Sequence, residues 1–151
     1  MNVVVKFWKG ARTARAFMRA QALLVQGRIE DAWKVLANLQ IYTETLPPQN
    51  EVRIEVDMFS SHAWRLGDWN LSLFHAKAAV AGLRHEASRI APATRDHMLC
   101  YCRILIESAS WQLGGPPHDA GQITGVALAD VRPEQVPKGI ALRFPISPVA
   151  A

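Results

Sequence analysis

The sequence predicts an all-α protein built from antiparallel helical hairpins stacked in order, and two observations support this prediction. A phrase of a small residue, Trp, a polar residue, Leu and Gly occurs at residues 63–67 and at residues 110–114, with a looser version at residues 22–27. Each occurrence closes a stretch in which apolar residues recur at intervals of three and four, as on one face of a helix. Because glycine readily adopts the left-handed conformation that ends many helices, we predict helix ends at Gly27, Gly67 and Gly114.

The first hairpin is predicted from two short apolar stripes. Residues 11–26 form the first helix, with Ala16, Ala20, Leu23 and Leu24 at helical intervals before Gly27. Residues 29–39 carry the second stripe, which closes before Pro47-Pro48, since proline cannot continue a helix.

The next three helices are predicted in the same way. Asn50 can cap a third helix that runs to Gly67, with Glu51 favouring its positive N-terminus. A fourth helix follows Asp68 and ends near Arg89. Thr94 can cap a fifth helix that ends at Gly114. Apolar residues cover more than one face of this fifth helix, which predicts that it is packed between neighbours.

The C-terminal segment differs in composition from the helical part. Prolines and glycines are frequent from residue 115 onward, so we divide the chain into a helical domain, residues 1–115, and an irregular segment, residues 116–151, packed on the helices. Residues 123–131 can form a short helix. Residues 133–149 are expected to lie extended, with apolar side chains at Ile140, Leu142, Phe144 and Ile146 that either cap the stack or occupy its groove.

The turns between helices resemble those of a known repeat family. Residues 27–32 (GRIEDA) are similar to the turn between the two helices of a tetratricopeptide repeat, and residues 67–72 (GDWNLS) are similar with the small Ser72 in place of Ala. The resemblance covers residues 11–114 as two hairpins and a final helix. The glycines are 40 and 47 residues apart, whereas the family repeats about every 34 residues.

The resemblance implies a function as well as a fold. The first helix of each hairpin would line a concave face, whose members, counted back from each glycine, are Phe17, Gln21, Leu24, Asp57, Ser61, Trp64, Arg65, Tyr101, Ile104, Ser108 and Trp111. This register also places Gln21 and Arg65 in solvent on the face of Trp64. We expect a non-enzymatic interaction module or adaptor whose groove receives a peptide or helix of a protein partner, with a second copy of the chain as one candidate. The alternative is a purely structural role, in which Trp64 and Trp111 fill the hairpin core.

The positive charge is concentrated near the N-terminus and suggests a second function. Residues 1–40 hold seven basic and two acidic side chains, although the whole chain has a net charge of only +4. The basic patch consists of Lys6, Lys9, Arg12, Arg15 and Arg19, with aromatic residues between them. Such a helix can bind nucleic acid or an anionic membrane surface. The alternative is an ordinary solvated helix face.

Other classes of function have little sequence support. His97 and Cys100 have a spacing that can hold a metal, but no further ligand completes the set. We find no defensible catalytic grouping or phosphate-binding loop, and therefore expect no metal, no cofactor and no enzymatic activity. Cys100 and Cys102 are too close in sequence to join distant parts, and no apolar run is long enough to span a membrane, so we expect a cytoplasmic location. Lys6 and Lys9 follow the apolar N-terminus instead of preceding it, which argues against a signal peptide.

Overall fold

The computed structural model describes residues 3–114 and 119–132, except for the side chains of residues 3–11 and 128. The regular secondary structure of these residues is helical, and they contain no strand. The helices are α1 (Val3–Val25), α2 (Ile29–Thr43), α3 (Glu51–Ser60), a 3₁₀ helix (Ser61–Leu66), α4 (Trp69–Leu83), α5 (Pro92–Gln112), α6 (Ala120–Thr124) and a 3₁₀ turn (Leu128–Asp130).

The predicted helix ends are confirmed. Gly27, Gly67 and Gly114 have φ angles of 76°, 82° and 90°, in the left-handed region that favours glycine. The predicted cap at Asn50 is also present, because its side-chain oxygen accepts hydrogen bonds from the backbone N–H groups of Val52 and Arg53 at 2.9 and 3.3 Å. Local turn and cap chemistry thus set these boundaries.

Other boundaries differ from the prediction. Helix α1 begins at Val3, about two turns before residue 11, and α4 ends at Leu83 instead of near Arg89. Helix α5 begins at Pro92 and not after Thr94, because proline suits the first turn of a helix, where its missing N–H needs no partner. The short helix α6 spans residues 120–124, and the predicted helix over residues 123–131 is not formed.

Helices α1 to α5 pack against one another in chain order, and α6 packs on α5 and α4. One core lies between α1, α2 and α3, and includes Ala20, Leu36 and Val56. A larger core joins α3, α4, α5 and α6. Residues 102–109 of α5 are all buried, which confirms the prediction that this helix is packed between neighbours.

The third helix changes its geometry at Ser61, where it contacts α4. The fully buried Ser72 accepts a hydrogen bond from the Trp64 backbone N–H at 2.6 Å and donates one to the Ser61 carbonyl at 2.7 Å. These bonds occupy backbone groups of the last turns of the third helix. The segment continues as a 3₁₀ helix, whose residues are about 120° apart around the axis, compared with about 100° in an α-helix.

Some sequence predictions lie outside the described residues. They include the extended segment 133–149, its role as a cap or groove occupant, and residues 115–118 at the proposed domain boundary. Residues 119–132 belong to the predicted C-terminal segment and pack on the helices through α6. Of the helices in residues 3–114 and 119–132, none combines the length and apolar character needed to cross a membrane.

Candidate functional site

A groove of about 630 Å³ is lined by three helices that are not consecutive in the chain. Its members come from α1, α3 with the following 3₁₀ helix, and α5: Phe17, Met18, Gln21, Glu55, Met58, Phe59, His62, His97, Met98 and Tyr101. We call this set the methionine groove. Its volume lies within the range of pockets that bind small ligands, so it suits a few anchoring side chains of a partner.

Aromatic and sulfur contacts join the walls of the methionine groove. The rings of Phe17 in α1 and Phe59 in α3 are 5.4 Å apart. Across the other wall, the Cys102 Sγ of α5 lies 3.5 Å from the Met58 Sδ of α3. Met18 is 70% exposed and therefore available to a partner. The groove is thus held by packed contacts on both sides of α3 while its rim stays accessible.

His62 and Tyr101 form the most polar part of the groove. The His62 Nδ1 lies 3.2 Å from the carbonyl oxygens of Met58 and Phe59, which can only accept, so this nitrogen carries the proton. The Nε2 then accepts from the Tyr101 hydroxyl at 3.4 Å, and the two rings stack 5.4 Å apart. Burial lowers the pKa of His62, which favours this neutral form.

The electrostatics of the groove are nearly neutral with one acidic position. Burial raises the pKa of Tyr101 to about 12, so its hydroxyl stays protonated. Partial loss of water around Glu55 raises its pKa, and the neighbouring carboxylate of Glu51 adds to the increase. Among the lining residues, only Glu55 is a formally charged type when the histidines are neutral. The groove therefore offers an apolar surface with a single carboxylate.

The structure brings only part of the predicted concave face into this groove. Phe17, Gln21 and Tyr101 line it. Gln21 and Arg65 are both exposed, as predicted, but Arg65 is not a lining residue and its guanidinium lies 3.5 Å from the Leu24 carbonyl. Trp64 does not line the methionine groove either, and a shared face for Gln21, Arg65 and Trp64 stays a prediction.

The next three predicted members of the concave face lie in contacts between helices. Leu24 is buried between α1 and α2, and Ser61 is buried against Ser72. The Oδ1 of Asp57 accepts a hydrogen bond from the Nδ1 of the buried His75, with 2.9 Å between the two atoms.

Trp64 is half-buried and stacks on Trp69 with a centroid distance of 6.0 Å. This agrees with the alternative that Trp64 has a structural role in the core. Ile104 and Ser108 are buried in α5, whereas Trp111 is 53% exposed beyond the groove, so the core alternative is wrong for Trp111.

Two physical effects explain these errors of register. Over the six residues of the 3₁₀ helix, the extra rotation of about 20° per residue turns the face of α3 by about 120° relative to a count from Gly67. In α5, Met98 lies 16 residues before its glycine, whereas Met58 lies nine residues before Gly67. Counting back from Gly114 as from Gly67 therefore selects positions about two helical turns away from the groove.

A signal for the groove was present in the sequence. Met18, Met58 and Met98 are spaced by 40 residues, which is also the spacing from Gly27 to Gly67. The missed lining residues are those three methionines together with Glu55, Phe59, His62 and His97. Counting from the methionines, rather than from the glycines, identifies one position on each of the three helices that meet at the groove.

The structure describes three of the five side chains of the basic patch. Arg12, Arg15 and Arg19 line a second depression, the arginine recess, of about 660 Å³ between α1 and α2. Its other lining residues are Thr13, Ala16, Val35, Asn38, Leu39 and Tyr42. Lys6 and Lys9 fall within α1, but their side chains lie outside those described. The two depressions share no lining residue, so α1 presents a different chemistry on each of two faces.

Across residues 3–114 and 119–132, no three His, Cys, Asp or Glu side chains are grouped so as to hold a metal ion. The Cys102 thiol is fully buried, which raises its pKa to about 12 and disfavours the reactive thiolate.

Comparisons with protein-family models, with curated proteins and with solved structures gave no match to this chain.

Proposed function

We propose that the protein is a non-enzymatic interaction module, or adaptor, whose methionine groove receives an apolar helix or peptide of a protein partner. The observation that carries the proposal is the convergence of three of the chain's four methionines, with three aromatic rings, on one accessible groove. Methionine side chains are flexible and polarizable, and such surfaces adapt to the irregular apolar face of a bound helix.

The origin of the lining helices supports a repeat arrangement. We interpret α1 with α2, and α3 with α4, as two hairpins followed by α5, in the manner of a short tetratricopeptide-like solenoid. In that arrangement the first helix of each hairpin faces the concave side, and the groove is lined from α1, α3 and α5. The 40-residue spacing of the methionines is consistent with a repeated position on these three helices.

The charge of the groove suggests the character of the partner. Glu55 places one carboxylate beside otherwise apolar or neutral side chains. A matching segment would carry apolar anchors at helical spacing and one Lys or Arg that can reach this carboxylate. A second copy of the chain stays one candidate for the source of such a segment. A cytoplasmic location also stays a prediction, resting on the cysteine content of the sequence.

The proposal can be tested by selecting helical peptides that bind the full chain from a displayed library. Selected peptides should share apolar residues at i, i+3 or i+4, and i+7, together with a basic residue. Their binding to Met18→Glu should be at least about tenfold weaker, because a carboxylate then enters an apolar contact.

The matched control is Ile41→Glu. Ile41 of α2 is 71% exposed, almost the same as Met18 at 70%, but it does not line the groove. Binding of the peptides should be unchanged in this variant. Equal weakening in both variants, or a failure to select any peptide with the stated pattern, would contradict the proposal.

A second candidate function follows from the arginines of the basic patch. Arg12, Arg15 and Arg19 share one side of α1, and a row of basic side chains can bind a polyanion such as nucleic acid or an anionic membrane surface. Such binding should weaken steeply between low and physiological salt, whereas binding of an apolar helix should change little. Titration of a single-stranded oligonucleotide and of anionic vesicles at two salt concentrations would separate the candidates.

A further inference from the structure

The arginine recess has a cationic wall with no acidic neighbour among its lining residues. Arg15 and Arg19 are exposed and lie four residues apart in α1, so their guanidinium groups extend from the same face of the helix. Within the described part of the chain, neither takes part in an ion pair. Arg15 and Arg19 therefore bring positive charge to the recess.

The opposite wall has a different character. Asn38 and Tyr42 lie four residues apart in α2 and provide an amide, a hydroxyl and an aromatic ring. Val35 and Leu39 of the same helix add apolar side chains to the lining. One side of the recess thus suits oxyanions, and the other suits a planar or apolar group with polar substituents.

The size of the recess suits a compact ligand. Its volume of about 660 Å³ is in the range of small-molecule pockets. A small molecule of this size can contact lining residues of both α1 and α2. Arginine is well suited to phosphate because its planar fork of donors can bind two oxygens at once.

We propose that the arginine recess binds a nucleoside phosphate, with its phosphoryl group held by Arg15 and Arg19 and its base packed against Tyr42 and Leu39. The site lies on a different face of α1 from the methionine groove and does not depend on the proposed partner-binding function. The arrangement is chemically complementary: two guanidinium groups meet the dianionic phosphate, and the ring of Tyr42 offers a stacking surface for the base.

The test is calorimetric titration of the full chain at low salt with adenosine 5′-monophosphate, inorganic phosphate and adenosine as separate probes. The monophosphate should bind more tightly than either of the others, because it alone engages both walls. Arg15→Gln and Arg19→Gln should each weaken its binding by about tenfold, the loss expected for one charge-assisted hydrogen-bonding group.

Lys34→Gln is the matched control, because it removes the same charge from an exposed position of α2 that does not line the recess. It should change the affinity less than twofold, and circular dichroism should show that all variants stay helical. Tyr42→Leu should weaken the monophosphate but leave inorganic phosphate unchanged, which separates the stacking contact from the phosphate contact.

Several outcomes would overturn the proposal. Absence of monophosphate binding at millimolar concentration would do so, as would equal affinity for inorganic phosphate or equal weakening by Lys34→Gln. Binding of a single-stranded oligonucleotide or of anionic vesicles without binding of the monophosphate would instead support the extended polyanion as the ligand of the basic patch.

Discussion

The two tryptophan-containing helix ends, residues 63–67 and residues 110–114, share a sequence pattern but occupy different surroundings. Both close with a left-handed glycine. Trp64, however, is half-buried and stacked on Trp69, whereas Trp111 is 53% exposed. The pattern therefore specifies the end of a helix, and the elements that pack beside that end decide whether the tryptophan is covered.

Ser72 connects the first of these helix ends to α4. After Gly67 the chain enters α4 within two residues, and Ser72 on this helix bonds to both Trp64 and Ser61. At the second end, the Ser110 hydroxyl donates to the Ile106 carbonyl of its own helix at 2.9 Å. One end is thus tied to a neighbouring helix through its backbone, and the other uses its serine within its own turn.

The largest contrast is expected from truncating the two tryptophans. Trp64→Ala should lower the free energy of unfolding by about 2 to 3 kcal/mol, because Trp64 packs against the larger core. Trp111→Ala should change it by less than about 0.5 kcal/mol, as is usual for an exposed side chain. Urea unfolding of both variants measures the difference, and equal losses would show that the two ends have the same role.

Ser72→Ala should have the next largest effect. The substitution leaves the Trp64 N–H and the Ser61 carbonyl without their side-chain partner in a buried setting, at a cost of about 2 kcal/mol. Hydrogen exchange at the Trp64 amide should become faster. Ser110→Ala is the control and should cost less than about 1 kcal/mol. No loss of stability in Ser72→Ala would refute the role assigned to this contact.

The left-handed glycines should behave alike at both ends. An added Cβ would meet no atom within 4 Å at Gly67 or Gly114, so only the strain of the positive φ opposes Ala. Each Gly→Ala change should cost about 1 kcal/mol in thermal or urea unfolding. Gly121→Ala in α6 is a useful control, since its φ is not in the left-handed region and the nearest contacts are ordinary, at 3.7 Å. A cost at Gly67 far above that at Gly114 would show an additional contact at the first end.

The smallest effect is a pH dependence centred on His62, which belongs to the same 3₁₀ helix as Trp64. Burial lowers its folded-state pKa below the unfolded value of 6.5. The unfolded chain therefore binds more protons between these two values, so this contribution is fully present above pH 6.5 and is lost as the pH falls through the folded pKa. Unfolding of His62→Gln between pH 5 and 8 should show a weaker decline on the acid side.

Tyr101, the partner of His62, provides a check of opposite sign. Its folded-state pKa is raised from 10.0 to about 12, so its contribution is present below pH 10 and is lost as the pH rises towards 12. Tyr101→Phe should reduce the alkaline loss of stability. If it leaves that loss unaltered, Tyr101 is not the responsible group.

Local features of the fold could be predicted from the sequence because their causes are local. The glycines at residues 27 and 67 act through their own backbone, and the cap at Asn50 acts through its side chain. All three are found where expected. The 3₁₀ helix could not be predicted in the same way, since its Trp64 amide donates to Ser72, a residue eight positions further along the chain on another helix. A rotation of one helix face then moved several predicted site residues away from the groove.

Close approaches between helices were also invisible to pattern analysis. A Cβ on Gly82 would collide with the Pro48 carbonyl oxygen and with the Ile54 side chain, so this glycine allows α4 to contact the segment before α3. The pairing of Asp57 with His75 likewise joins residues 18 positions apart on different helices. Such features depend on how helices meet, and residue spacing within one helix does not specify them.

The methionines provide the most direct measurement of the proposed function. Three of the four in the chain line the groove, so selective ¹³C-methyl labelling of methionine gives few signals, most of them from the site. We predict that a display-selected helical peptide shifts the methyl resonances of Met18, Met58 and Met98, and that Met18→Glu weakens this response while Ile41→Glu does not. Saturable binding of that peptide without a shift at any of these three methyl groups would contradict the assignment of the groove as the partner-binding site.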